Sequence, residues 1–98
     1  MTDLDLILET ACSVTRCSPR QARSRDKQQK CTFARFIFFA IATENGSRDY
    51  VAAWHLGRNR SISFHYRKRV EDLSMSDKEF NSLLIKARKK YAGINQPV

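Results

Sequence analysis

Residues 29–44 read Gln-Lys-Cys-Thr-Phe-Ala-Arg-Phe-Ile-Phe-Phe-Ala-Ile-Ala-Thr-Glu, and this stretch decides the fold. Phe33, Phe36, Ile37, Ala40 and Ile41 recur at helical spacing on one face, while Phe38 and Phe39 add apolar surface elsewhere. A helix that is apolar nearly all round belongs in the centre of a fold, with other elements laid against it. Asn45-Gly46 ends it, since either residue tolerates the left-handed conformation of a helix cap.

The neighbours on both sides are also helical in pattern. Upstream, Leu4, Ile7, Leu8 and Ala11 predict an amphipathic helix over about residues 3–14. Ser18-Pro19 starts a second, short helix, with Ser18 as N-cap and Pro19 in the first helical position. The polar run Ser24–Gln28 breaks the apolar rhythm and reads as a basic loop. Downstream, Ser47 can cap a short helix carrying Tyr50, Val51 and Trp54, which Gly57 terminates. A further helix covers about 59–73, with Ile62, Tyr66, Val70 and Leu73 on one side. Ser76 can cap a last helix, about 77–92, whose stripe is Phe80, Leu83, Leu84, Ala87 and Tyr91 and which Gly93 closes. The expectation is an all-α bundle of about six helices in one domain over residues 1–92, followed by a flexible tail at 93–98. Only three glycines and two prolines are present, so tight hairpins lack their usual turn residues.

The 98 residues carry a net charge of +8, and the cations are clustered. Arg16, Arg20, Arg23, Arg25, Lys27, Lys30 and Arg35 face only Asp26 in their stretch. Arg58, Arg60, Arg67, Lys68 and Arg69 form a second group, and Lys86, Arg88, Lys89 and Lys90 a third. Clustered positive charge in a small domain points to a polyanion, most often nucleic acid; the alternative is a surface made basic for solubility. Cys12, Cys17 and Cys31 are odd in number and lack the spacing of a zinc site, so they read as reduced core residues. Asp3 and Asp5 oppose a signal peptide, and the apolar run Phe36–Ala42 is too short to span a bilayer. A cytoplasmic location and no membrane partner are expected. Acidic residues and histidines are sparse, and no nucleophile–base pair can be read, so an enzyme is not expected.

Ser47–Leu73 has the layout of a helix-turn-helix: short helix, glycine turn, second helix. On the second helix Arg60, Phe64 and Arg67, with Ser61 and Lys68 at the margin, lie opposite the Ile62–Tyr66–Val70–Leu73 stripe. An apolar-inside, basic-outside helix suits the major groove, where Arg can donate two hydrogen bonds to guanine. An ordinary solvated surface helix has the same periodicity.

The segment Gly57-Arg58-Asn59-Arg60-Ser61-Ile62-Ser63-Phe64-His65 resembles the signature of the C-terminal DNA-binding domain (domain IV) of the bacterial replication initiator DnaA, which reads G-R-D-H-[ST]-T-V-x-H. Arg67-Lys68-Arg69-Val70, Ser47-x-x-x-Val51, Ala34-Arg35 and the basic stretch 25–30 follow the family order. The chain departs from the pattern at Asn59, Arg60 and Ile62, which stand where the family has Asp, His and Thr, and at Phe36, which stands for Gln. The resemblance implies a Trp-repressor-like helical fold. It implies that Arg58, Asn59, Arg60 and Ser61 contact DNA, the last three of them facing bases. It further implies that Lys27, or Arg25 if the loop shifts, reaches the minor groove and that Arg35 and Arg69 touch phosphates. Ile62 lies near DNA by family position but in the core by periodicity, which is the favoured placement. His65 matches a family histidine and is expected to pack or to meet a phosphate.

The implied function is sequence-preferring binding of double-stranded DNA by a stand-alone replication accessory or regulator, nucleoid-associated, with other replication or regulatory proteins as further partners. The chain has no G-x-x-x-x-G-K-[ST] phosphate loop, so no nucleotide cofactor and no ATPase activity are expected. The altered motif implies a target other than the DnaA box. The competing readings are a protein-interaction module on the same fold and RNA binding, the latter disfavoured because no sheet is evident in the sequence pattern.

Overall fold

A computed structural model describes residues 3–94. Among them run six α-helices and one 3-10 turn: α1 Leu4–Thr15, α2 Pro19–Arg23, α3 Gln29–Glu44, α4 Asp49–His55, the turn Arg60–Ile62, α5 Ser63–Ser76 and α6 Lys78–Ile94. None of these helices is long and apolar enough to cross a membrane.

Helix α3 is the hub, touching all five other helices. Every residue from Phe33 to Ala42 is buried, as the all-round apolar pattern requires. Phe38, Ile37 and Ile41 are essentially inaccessible, each contributing about 1.5–3 kcal/mol relative to exposure. Phe33 meets Phe80 of α6 edge-on at 5.2 Å between centroids. Tyr66 of α5 stands between Phe36 and Phe39, with centroid distances of 5.0 and 5.7 Å. Aromatic pairs of this geometry attach α5 and α6 to the hub. Ile7, Leu8 and Ala11 bury the inner face of α1 in the same core.

The helix starts show how the chain sets its register. Asp3 caps α1 by accepting from the Leu6 N–H at 3.0 Å. Ser18 and Gln21 form a reciprocal capping box at α2, so five residues hold a helix that could not persist alone. Two expected caps are corrected. Arg48, not Ser47, occupies the N-cap of α4; the Ser47 hydroxyl donates to the Arg48 carbonyl, and Asp49 supplies the acidic first turn. Asp77, not Ser76, caps α6 by accepting from the Phe80 N–H at 3.0 Å, while Ser76 ends α5 and donates to the Asp72 carbonyl. Gly93 does not close α6, which runs on to Ile94. The expected loose end at Asn95–Val98 lies outside the described residues.

On α4 the buried residues are Ala52 and Ala53, followed by Leu56, whereas Trp54 is 57 % exposed and meets only the ring of Tyr50 among the described aromatics. Small residues on the inner face let α4 lie close to α3. Ile62, Val70 and Leu73 are partly buried against the core, and Tyr66 fully so, placing Ile62 on the core side.

Candidate nucleic-acid interface

Two basic segments, the loop 24–28 and the stretch 58–69, are brought together by a set of arginine–carbonyl contacts. Gly57 turns the chain after α4 with φ +73°, a left-handed conformation that glycine adopts without a Cβ penalty. A Cβ built there would stand 3.9 Å from the Arg23 carbonyl oxygen, so the turn runs directly beside the end of α2. Arg58, next in sequence, reaches across this contact. Its Nη1 donates to the carbonyls of Arg23 at 3.2 Å and Leu56 at 3.0 Å, and its Nη2 to that of Ser24 at 2.5 Å.

Arg35 approaches the same loop from inside the protein. It is buried in α3, and its Nε donates to the Ala22 carbonyl at 2.8 Å. Its Nη2 lies within hydrogen-bonding distance of the carbonyls of Gln21, Ser24 and Asp26, at 3.1, 3.0 and 2.7 Å. The last carbonyls of a helix have no partner within it, and a guanidinium fork can serve several at once. Arg35 is therefore an internal clasp on the end of α2, which corrects the expectation that it meets a phosphate. Arg58 is half-buried and faces protein carbonyls too, so its role is to hold the turn rather than to contact a ligand first.

The loop itself is further tied. Ser24 Oγ accepts from the Asp26 N–H, and the Asp26 carboxylate accepts from both the backbone and the side-chain amide of Gln28. With the backbone fixed, the side chains of Arg25 and Lys27 project into solvent, and neither forms an ion pair among the described residues.

At the start of the second segment, Asn59 caps the 3-10 turn by accepting from the Ser61 N–H at 3.0 Å. Its Oδ1 is thus engaged, and the two-point amide pattern that reads adenine is not freely offered. Arg60, Ser61, Lys68 and Arg69 are exposed. Arg67 is exposed as well and forms an ion pair with Asp49 on α4. Between them, Phe64 is 76 % exposed on the outer face of α5. His65 is exposed with its ring tilted beside Tyr66, and Ser63 is buried with a hydroxyl that finds no partner among the described residues.

Two features leave no mark in the order of the residues. Asp5, Arg23 and His55 form a polar clasp joining α1, α2 and α4, with His55 Nε2 at 3.0 Å from Asp5 and 3.1 Å from Arg23. His55 also stacks on Phe38. The basic cluster of α6 is partly occupied: Arg88 grips Glu44 with both arms, and Lys90 donates to Ser13. The three thiols are all buried and free, in line with their reading as reduced core residues, with Cys17 Sγ 3.6 Å from Cys31 Sγ. Burial pushes the Cys12 thiol up to about 11 and that of Cys17 up to about 12, the range of inert core residues. Among the described residues no group of three or more His, Cys, Asp or Glu side chains could hold a metal ion.

No protein family, curated protein or solved structure matches this chain.

Proposed function

We propose that this chain binds double-stranded DNA without a nucleotide, using α4, the Gly57 turn and the Arg60–Ser76 segment as a helix-turn-helix. The observation that carries this reading is the Arg58 joint. It fixes the loop bearing Arg25 and Lys27 against the turn that leads into Arg60, so two exposed cationic elements share one frame. The apolar side of α5 is engaged with the core through Tyr66, which leaves its basic side for a polyanion. The likeness of residues 57–65 to the DnaA domain IV motif supports the same use of these elements: Arg60 and Ser61 at base edges, Lys27 or Arg25 in the minor groove, Arg69 on phosphate. On that likeness the protein is a replication accessory or regulator associated with the nucleoid.

Neutralised phosphates release counterions, so affinity should fall steeply with salt, log K changing by about −0.9 per log unit of salt for each phosphate contacted. Titration of a mixed-sequence duplex at several salt concentrations, with no nucleotide present, tests the proposal. Absence of binding, or binding indifferent to salt, rejects it.

A second reading, a protein-interaction module on this fold, draws on the exposed Trp54 and on the engaged carboxamide of Asn59. It predicts a partner contact that survives high salt and depends on Trp54.

A further inference from the structure

Phe64 is the second residue of α5 and leaves 76 % of its surface in water. Single exposed apolar residues are common and by themselves mean little. The surroundings of this one are what matter. One turn before it stand Arg60 and Ser61, and one turn after it Arg67 and Lys68, all exposed. Phe64 is thus an apolar tip set inside a field of cations and hydrogen-bond donors. A helical side chain leans toward the N-terminus of its helix, so the ring covers the turn that carries Arg60 and Ser61.

A ligand matching this face must be anionic around its edges and present hydrogen-bond acceptors beside a small apolar group. The floor of the DNA major groove has this composition. Guanine offers two acceptors, phosphates flank the groove, and the apolar group displayed there is the C5-methyl of thymine. We infer that Phe64 is a specificity-determining residue that packs on a thymine methyl next to the base pair met by Arg60. This inference rests on the DNA-binding reading above and adds the base class that the apolar tip selects.

Deoxyuridine differs from thymidine only in lacking that methyl, which makes it the probe. Duplexes are selected from a random library with the wild-type chain, and each thymine of the selected site is then replaced singly by deoxyuridine. At one or two positions adjoining the G·C pair that responds to Arg60→Ala, the replacement should weaken wild-type binding about three- to fivefold, the scale of one buried methyl. Phe64→Ala should lose the same factor on the thymine site and nothing more on the deoxyuridine site. Phe64→Leu, which keeps an apolar tip, should retain sensitivity to the replacement. Because the side chain is so exposed, both variants should melt as the wild type does. Deoxyuridine that is neutral at every position, or equally costly to wild type and Phe64→Ala, overturns the inference while leaving DNA binding intact. A wild-type chain that selects no duplex overturns the DNA-binding reading and this inference with it.

Discussion

The guanidinium groups of Arg35 and Arg58 meet on one oxygen, the carbonyl of Ser24, at 3.0 and 2.5 Å. Arg35 comes from the buried face of α3 and Arg58 from the turn after α4. Between them they serve the carbonyls of Gln21, Ala22, Arg23, Ser24 and Asp26. The basic loop thus takes its shape from two residues that sequence alone would assign to a ligand.

Replacing Arg35 should damage the fold rather than the charge balance. In Arg35→Ala the carbonyls of Ala22 and Asp26 lose the donor that serves them, and a buried unsatisfied polar group costs about 1–3 kcal/mol, so a total loss of about 3–5 kcal/mol is expected. Arg35→Lys should recover little, since a single ammonium cannot reproduce the fork. Chemical denaturation measures both. Where the variants remain folded, the salt dependence of duplex binding should match that of the wild type. A slope lower by about one would return Arg35 to the phosphate.

Phe36→Ala should cost about 3–5 kcal/mol, because it removes a buried ring that meets Tyr66 edge-on and leaves a cavity between α3 and α5. The melting temperature reports this directly. An unchanged value would mean that α5 is attached to α3 by other contacts.

Arg60 and Arg69 should separate into two kinds of contact. Arg60→Ala should relax preference at a single base pair, a G·C, since a two-point arginine–guanine contact is worth about 1–3 kcal/mol of discrimination. Arg69→Ala, and Lys27→Ala or Arg25→Ala in the loop, should weaken all duplexes alike and lower the salt slope by about one each. Binding of each variant to a selected site and its single-base changes distinguishes the two patterns. A uniform loss in Arg60→Ala would favour the protein-interaction reading.

The thiols predict an alkaline limit to stability. Burial raises Cys12 from 9.0 to about 11 and Cys17 from 9.0 to about 12. Below pH 9 both states hold these protons and the full contribution is present. Between 9 and about 12 the unfolded chain releases protons that the folded chain retains, so stability falls as pH rises. Denaturation midpoints measured across that window should decline more steeply for the wild type than for Cys12→Ala or Cys17→Ala. Parallel declines would show that other groups set the limit.

Much of the helical plan is legible in the sequence because each signal is local. Gln29–Glu44 is marked by apolar residues on all sides, and Ser18-Pro19-x-Gln21 carries its own capping chemistry. The caps fall one residue later than composition suggests: Asp77 is as good a cap as Ser76, and Arg48 holds its place by backbone geometry with no side-chain cap bond, which no residue preference reveals. On α4 the aromatic residues Tyr50 and Trp54 do not mark the inner face, because Ala52 and Ala53 do the burying. The role of Arg35 did leave a signal. An arginine between Ala34 and Phe36, in a helix with no polar side, must be buried and needs several acceptors. Its acceptors lie 9 to 14 residues away, and those of Arg58 up to 35, so no periodicity reveals them.

A loop held at both ends before any partner arrives has little freedom left to surrender. Residues 24–28 are ordered by the same two guanidinium groups, by Ser24 and by Asp26, all from within the chain. Association through Arg25 and Lys27 would then resemble the docking of a rigid body, not the folding of a disordered arm onto a groove. Calorimetry should register that difference as a heat-capacity change matching the surface covered at the contact alone, without the larger burial that accompanies coupled folding.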